Sequence, residues 1–519
     1  MPRMPGKLRG RPRPTARGWP GPGGGTVGYV DPAPEWRGTS VQVCGLWPFG
    51  AGAGTPMVGV PLGRDLDSGA TVCCDPVSWF MRTGLLANPS MFVLGRPGLG
   101  KSTVVRRMAL GLAGYGVHPL VFGDLKPDYA DLIRAIGGQV ISLGRGRGNL
   151  NVLDPGTSLQ AASRLTGGAR RRLLADIRGR RLHMVSALVT ILRSAPPTDR
   201  EETILSAALK VLDDRHGSGA GPNGIPVLAD LVRVIKDAPE AVRSVALDRG
   251  DMARYRDITE HLEASLTALL GEGRLGGTFS RPTTEAMKLD RPVCFDVSGI
   301  DDGEVLLQAA ALLSCWSYGF GAVSAAHALA DAGLEPQRNY FLVMDELWRV
   351  LQAGRGLVDR VNALTRLDRQ RGVGLAMITH SIDDLLALSS EEERTKAKGF
   401  VERAGMVICA GLPPAEIPQL TDVVELTEAE KRLLVDWSTP PAWDAAGGRR
   451  AEPPGLGNFL VKVGSRPGIP LHVDLTTAEL EVNDTNKRWH TPEGPEPRPE
   501  SPAPGPTPVT RREDDRSAD

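Results

Sequence analysis

The sequence predicts an α/β fold: a parallel sheet with helices on both faces and one all-helical stretch inserted into it. Three observations carry this reading. Apolar runs of strand length alternate with helix-period segments, as where 91–94 is followed by Val104, Val105, Met108 and Leu112. The apolar runs end in polar residues: Asp124 after 118–122, Asp345-Glu346 after 340–344, Thr379-His380 after 374–378. In open α/β sheets, ligand-contacting residues lie at such carboxyl ends of strands. Between about 158 and 275 the apolar runs stop and helical periodicity takes over.

The elements follow in order. Residues 1–36 are rich in Pro, Gly and Arg and are expected to be a disordered basic tail. Short strands separated by turn residues are predicted at 40–46, 57–61 and 70–74. The core then begins with a strand at 91–94, a glycine-rich turn and a helix. A second strand at 118–124 has an acidic end, 129–136 reads as helix, and 139–143 as strand. The helical stretch carries a capping-box start, Thr198-Asp199-Arg200-Glu201, with Ile204, Ala208, Leu209 and Leu212 on one face. The sheet resumes at 292–297 and continues through 340–345, 374–379 and 406–410. Thr427-Glu428-Ala429-Glu430 caps another helix, and 458–463 with 470–475 reads as a terminal hairpin. The predicted organisation is an α/β domain over 37–157 and 276–490, a helical insertion over 158–275, and a disordered Pro-rich acidic tail over 491–519.

At 519 residues the chain can bury a large core. Its 61 basic and 61 acidic residues balance, so net charge gives no sign of a nucleic-acid partner. The six cysteines lack a CxxC pair or metal-ligand spacing and read as reduced, buried thiols of a cytosolic protein. The N-terminus is basic without the apolar centre of a secretory signal. Residues 305–330 carry no charge and are long enough to cross a bilayer. Their Ala, Ser and Gly content, Gln308 and His327, and their place between two predicted strands favour a helix buried in the core instead.

The most specific segment is Gly95-Arg96-Pro97-Gly98-Leu99-Gly100-Lys101-Ser102-Thr103, which fits G-x-x-x-x-G-K-[ST] between a strand and a helix. Glycines let backbone N–H groups approach phosphates closely, and the helix N-terminus adds positive potential. Lys101 is placed to reach the β- and γ-phosphates, and Ser102 to ligate Mg²⁺. At the end of the 340–344 run, Asp345 is a candidate to hold Mg²⁺ through water, and Glu346 a candidate general base for an attacking water. ATP and Mg²⁺ are the expected nucleotide and metal, and hydrolysis the expected reaction.

His380 has two readings: contact with the γ-phosphate, or a helix-start residue without nucleotide contact. Arg369 and Arg371 also have two: an arginine finger acting in a neighbouring subunit, or a solvated basic turn. Arg170, Arg171, Arg172, Arg178, Arg180 and Arg181 crowd the helical insertion with Asp176 the only acid between them. They read either as a phosphate-backbone contact with DNA or as a solvated helix face.

Together these residues resemble the conjugative type IV secretion ATPases of the VirB/TraC-like kind, within the HerA–FtsK group of P-loop ATPases. Gly59-Val60-Pro61-Leu62-Gly63-Arg64-Asp65 and Asn88 precede the loop as in that family. Asp124-Leu125-Lys126-Pro127-Asp128-Tyr129 is similar to its D-P-x-G-E-Y segment. Gly137-Gly138 and Leu150-Asn151-Val152-Leu153-Asp154 match its G-G and L-N-P-L-D positions. Asp345-Glu346-Leu347-Trp348 resembles its D-E-A-W, and Arg369-Gln370-Arg371-Gly372 with Thr379-His380 falls where it has a basic turn and T-Q. Asp128, Val152 and His380 depart from that pattern, and the family's large N-terminal domain has no counterpart before residue 91.

The resemblance implies a RecA-like core, a ring, most simply a hexamer, with nucleotide between subunits, and membrane components of a secretion or conjugation channel as partners. It implies a cytoplasmic place, or a peripheral one at the inner face of the cell membrane. The favoured function is an ATP-hydrolysing motor for conjugative DNA transfer or secretion-apparatus assembly. One alternative is a HerA–FtsK-like DNA translocase or coupling protein that grips DNA through the arginine-rich insertion. Another is a nucleotide-gated assembly scaffold with little turnover, which the His380 departure keeps open.

Overall fold

Apolar runs without alternation make strands covered on both faces. In the computed structural model, β3 (Ser90–Leu94), β6 (Val293–Asp296), β8 (Val373–Ile378) and β9 (Met406–Cys409) are buried at every residue. The structure describes residues 56–216, 224–271, 277–365, 372–441, 443–444, 449–450 and 452–482. The predicted strand at 40–46, both tails, Arg369 and Arg371 lie outside the described residues.

The remaining strands are β1 (Pro61–Asp65), β2 (Thr71–Cys73), β4 (Val117–Asp124), β5 (Gln139–Ser142), β7 (Asn339–Met344), β12 (Asn458–Lys462) and β13 (Ile469–Val473). A separate antiparallel pair is formed by β10 (Trp443–Asp444) and β11 (Arg449–Arg450). The main sheet has eleven strands in the order β2-β1-β13-β12-β9-β3-β8-β7-β4-β6-β5. From β9 to β5 every neighbour is parallel. From β2 to β12, and on to β9, every neighbour is antiparallel. The predicted parallel α/β sheet is therefore present, with an antiparallel wing along one side.

Side chains alternate across the sheet, so β3 feeds two cores. Met91 and Val93 pack with Val104, Val105, Met108 and Leu112 of α2 (Lys101–Gly114), together with Phe341, Val343 and Ile378. Phe92 and Leu94 pack on the other face with Leu342, Met344 and Met377. The chain reaches α2 after a short α1 (Pro76–Ser78), and α3 (Ala130–Ala135) follows β4.

Between β5 and β6 lie α4 (Thr157–Arg164), α5 (Gly167–Arg193), α6 (Asp199–His216), α7 (Leu228–Asp237), α8 (Glu240–Ala246) and α9 (Met252–Leu270). Thr198 starts α6 as predicted: its N–H donates to the Glu201 carboxylate at 2.8 Å and its hydroxyl accepts from the Glu201 N–H at 3.3 Å. The long uncharged segment is α10 (Val305–Asp331), with 89% of its most apolar window buried. It is sandwiched. Trp316 Nε1 donates to Phe122 O of β4 at 2.6 Å, while Ser158 Oγ of α4 donates to Gly321 O at 3.0 Å and Arg180 of α5 to Ser324 Oγ at 3.0 Å. Gly319 permits the contact with the sheet, since a Cβ there would stand 2.0 Å from the Phe122 ring.

Most boundaries shift by a residue or so from the sequence reading, and two shift further. The strand expected at 57–61 begins only at Pro61, because Gly59 takes φ 116° and the Val60 N–H is drawn to the Asp75 carboxylate at 3.0 Å. The second strand of the terminal hairpin covers 469–473 rather than 470–475, in register with Asn458–Lys462 (Val461 opposite Ile469).

Candidate nucleotide site

Parallel pairing sets the site. Val93 lies opposite Ile378, and Met344 opposite Met377, so β3, β8 and β7 end side by side. The residues that leave these ends are Gly95, Thr379-His380 and Asp345-Glu346. The junction is tied by backbone bonds: Thr379 N–H to Val93 O at 3.0 Å, and Gly95 N–H to His380 O at 3.2 Å.

Gly95 needs to be glycine on two counts. Its φ is 146°, and a Cβ would stand 2.6 Å from the Ala410 Cβ. Gly100 takes the left-handed conformation at the N-terminal cap of α2, which turns the chain into the helix with its first N–H groups facing the loop. Around them, Arg96 donates to Ser438 O at 2.9 Å, Pro97 and Gly98 are exposed, and Leu99 is buried, its carbonyl accepting from Gly457 N–H at 3.2 Å. The loop is thus braced by the antiparallel wing. Ser102 and Thr103 open the first turn of α2.

Lys101 is buried and folds over the loop, donating to Gly95 O at 2.6 Å and Arg96 O at 3.2 Å. Burial pulls its pKa down to about 8 against the raising effect of the Asp345 and Glu346 charges, with Lys126 lowering it further. Asp345 accepts from the Glu346 N–H at 2.9 Å and from the Tyr129 hydroxyl at 3.3 Å. Burial and the neighbouring Glu346 charge push it up to about 6. A buried carboxylate whose charge is disfavoured in this way suits a hard oxygen-seeking cation. Among the described residues no group of three or more His, Cys, Asp or Glu is placed to hold a metal. A Mg²⁺ on Ser102 and Asp345 would therefore complete its shell with water and phosphate oxygens.

Glu346 sits in the left-handed region (φ 53°, ψ 39°), a strained place for any residue but glycine. It begins α11 (Leu347–Gln352), which leads to α12 (Leu357–Thr365). Its carboxylate is held on three sides: by Trp348 Nε1 at 2.6 Å, His380 Nε2 at 3.1 Å and Lys126 Nζ at 3.5 Å. Burial would raise its pKa, but the His380 contact, Trp348 and Lys126 together hold it down at about 2. His380 precedes Ser381, which caps α13 (Ile382–Leu386) with its side chain. So His380 is a helix-start residue that also touches the candidate base. Its Nδ1 and the Thr379 hydroxyl are buried without a hydrogen-bond partner among the described residues.

Four residues here had no role in the sequence reading: Lys126, Asp128, Tyr129 and Trp348. The first three follow β4, the strand beside β7, and are positioned by Asp124. Its buried carboxylate accepts from the N–H groups of Asp128, Tyr129 and Ala130 at 3.1, 2.8 and 3.1 Å, capping α3. Asp128 in turn accepts from Ser102, which lowers its pKa against the larger raising effect of burial. The signal was available: a polar segment directly after a parallel strand neighbouring the catalytic one.

The six insertion arginines separate. Arg181 is buried and bonds Leu153 O and Asp213, Arg178 pairs with the same Asp213 at 3.3 Å, and Arg180 bonds Asp176 at 2.9 Å and Ser324. Arg170, Arg171 and Arg172 are exposed on the first turns of α5. The reading of all six as one DNA-facing surface is corrected: Arg180 and Arg181 are taken up inside the fold by bonds to α10, the 150–154 segment and α6. The five described cysteines are buried and unpaired, as expected.

No protein-family model matches this chain, and no curated protein matches it. Among solved structures, VirB4 of Thermoanaerobacter pseudethanolicus aligns with a TM-score of 0.59 at 19% identity, over 82% of this chain and 99% of that one. The plasmid coupling protein TrwB in complex with the non-hydrolysable ATP analogue ADPNP aligns at a TM-score of 0.44 and 13% identity, over 75% of this chain and 87% of that one. The TrwB score is too low to carry weight. The VirB4 alignment shows the fold: this chain has the RecA-like P-loop α/β architecture.

Proposed function

We propose that the chain is a Mg²⁺-dependent ATPase that powers conjugative DNA transfer or assembly of a type IV secretion apparatus. The observation that carries this reading is the convergence, at the adjacent ends of β3, β7 and β8, of a glycine loop with Lys101 and Ser102, the Asp345-Glu346 pair, and Thr379-His380. Residues 95–103 would cradle the phosphates, Lys101 would neutralise part of their charge, and Ser102 and Asp345 would hold a Mg²⁺ that supplies further charge neutralisation to the phosphates. Glu346 orients and deprotonates the attacking water. The likeness in fold to VirB4, together with the family motifs of the sequence, supports the secretion setting. In this reading the α4–α9 helices are an insertion subdomain, the ring is a hexamer, and Arg369 or Arg371 serves a neighbour's site.

One observation favours a second reading. A carboxylate already held by three partners is a poor base, which suits a scaffold that binds ATP and turns it over slowly. Purified protein assayed for Mg²⁺-dependent phosphate release separates the two. Lys101→Ala is expected to abolish turnover while the thermal transition stays in place, since among the described residues Lys101 bonds two loop carbonyls. Wild-type turnover in Lys101→Ala protein would defeat the assignment of this loop. Nucleotide binding without turnover in the wild type would favour the scaffold.

A further inference from the structure

We propose that Lys126 is a γ-phosphate-sensing catalytic residue, which leaves Glu346 for the terminal phosphate of ATP and so frees the base. This rests on the nucleotide site proposed above. Lys126 stands at the end of β4, the strand paired with β7. Pro127 follows it and disfavours helical backbone at Lys126, so α3 starts only at Ala130 and the lysine projects at the rim.

Of the three groups on Glu346, Trp348 and His380 are held closely, at 2.6 and 3.1 Å. Lys126 is the loose one, at 3.5 Å with its side chain 57% exposed. Its partner carboxylate is only 8% exposed, so the contact acts on a buried charge, while a flexible four-carbon stem reaching in from solvent lets the ammonium move.

The charges around it say where it would go. The segment that carries Lys126 lies against the helix of the glycine loop: Arg106 of α2 donates to Asp128 O, and the Tyr129 hydroxyl donates to Asp345 at 3.3 Å. Lys101, at the start of α2, and Lys126, on Glu346, therefore stand on two sides of one strand-end site, the first buried and the second at its mouth. Like charges so placed repel, and an anion between them turns that repulsion into attraction on both sides. A terminal phosphate carries about two negative charges, more than the Glu346 carboxylate, and offers several acceptor oxygens. ADP, lacking that group, leaves Lys126 on Glu346.

The consequence is a base coupled to its substrate. With Lys126 on the γ-phosphate, Glu346 Oε1 keeps only His380 and can accept a proton from water. The water oxygen bonds to the γ-phosphorus, the bond to the β,γ-bridging oxygen breaks, and its electron pair leaves with ADP. The proton passes through Glu346 to the released phosphate. Lys126 meanwhile offsets charge on the γ-oxygens, a position that otherwise waits for a neighbour's arginine.

The experiment measures affinity for Mg²⁺-ADP and for a Mg²⁺-loaded non-hydrolysable ATP analogue by calorimetry, with kcat and KM for ATP, in wild type, Lys126→Met, Lys126→Arg and Lys101→Ala. Lys126→Met is expected to bind ADP as the wild type does, to lose about tenfold or more in affinity for the ATP analogue, and to fall in kcat. Lys126→Arg is expected to recover most of the lost discrimination. If the wild type binds nucleotide in a Lys101-dependent way and Lys126→Met keeps both the ATP-to-ADP ratio and kcat, this proposal is overturned and the site stands. If the wild type binds no nucleotide, or Lys101→Ala binds and hydrolyses as the wild type does, the site itself falls and this proposal with it.

Discussion

The two basic regions of the molecule use charge in opposite ways. At the rim of β3, β7 and β4, few charged groups gather and their needs are incompletely met. Lys101 is buried with its pKa pulled down to about 8, Asp345 is pushed up to about 6, and Thr379 and His380 each hold a buried polar atom without a partner among the described residues. On α5 there are more arginines, yet Arg180 and Arg181 are consumed by Asp176, Ser324, Leu153 and Asp213. Counting charges in the sequence ranks α5 first. Counting unmet charges in the fold ranks the rim first, and unmet charge beneath a ready-made loop is what a ligand completes.

The largest test of this contrast is Glu346→Gln. The amide keeps the Trp348 bond and the shape of the turn but cannot accept a proton. Turnover is expected to drop about 10²–10⁴-fold with ATP still bound, measured as phosphate release against equilibrium nucleotide binding. If Glu346→Gln turns over as fast as the wild type, the base lies elsewhere and the rim loses its claim.

Next in size is Arg181→Ala, which probes the other region by stability alone. Removing one member of a buried ion pair strands the other. Asp213 retains Arg178 at 3.3 Å, so the expected loss is about 3 kcal/mol, the lower end for such pairs. Nucleotide affinity per folded molecule is expected to stay unchanged. Urea midpoints give the first quantity and calorimetry the second. A variant that unfolds at the wild-type midpoint would mean Arg181 is not the internal brace described, and would reopen its surface reading.

The parallel half of the sheet was legible because burial on both faces leaves uninterrupted apolar runs. At 340–344 and 374–378 the observed strands differ from the reading by one residue at an end. The antiparallel wing was less so. The limits of its strands depend on partners far along the chain, as Gly63 on Val473. In the site, the loop and the Asp345-Glu346 pair were readable from local order. The hold of Trp348, His380 and Lys126 on one carboxylate was not, because it joins three elements through a left-handed residue that no local pattern announces. Likewise the arginine cluster could not be divided from sequence, since the acid that claims Arg178 and Arg181 lies on α6, more than a helix away.

The smallest expected effect belongs to Arg170, Arg171 and Arg172, three exposed arginines on the first turns of α5. Replacing all three with Ser is expected to change stability by no more than about 0.5 kcal/mol per site, because no ion pair or core contact among the described residues is lost. Their one remaining use is electrostatic. A protein that grips DNA through them loses affinity evenly across sequences, and its salt dependence flattens by about one unit of slope for each phosphate contact removed. Filter binding of single- and double-stranded DNA over a salt series reads both. A slope untouched by the triple change would take α5 out of any DNA contact. Failure of the wild type to hold either strand form at low salt would remove the direct-translocase alternative, and leave α5 with only the structural work done by its buried half.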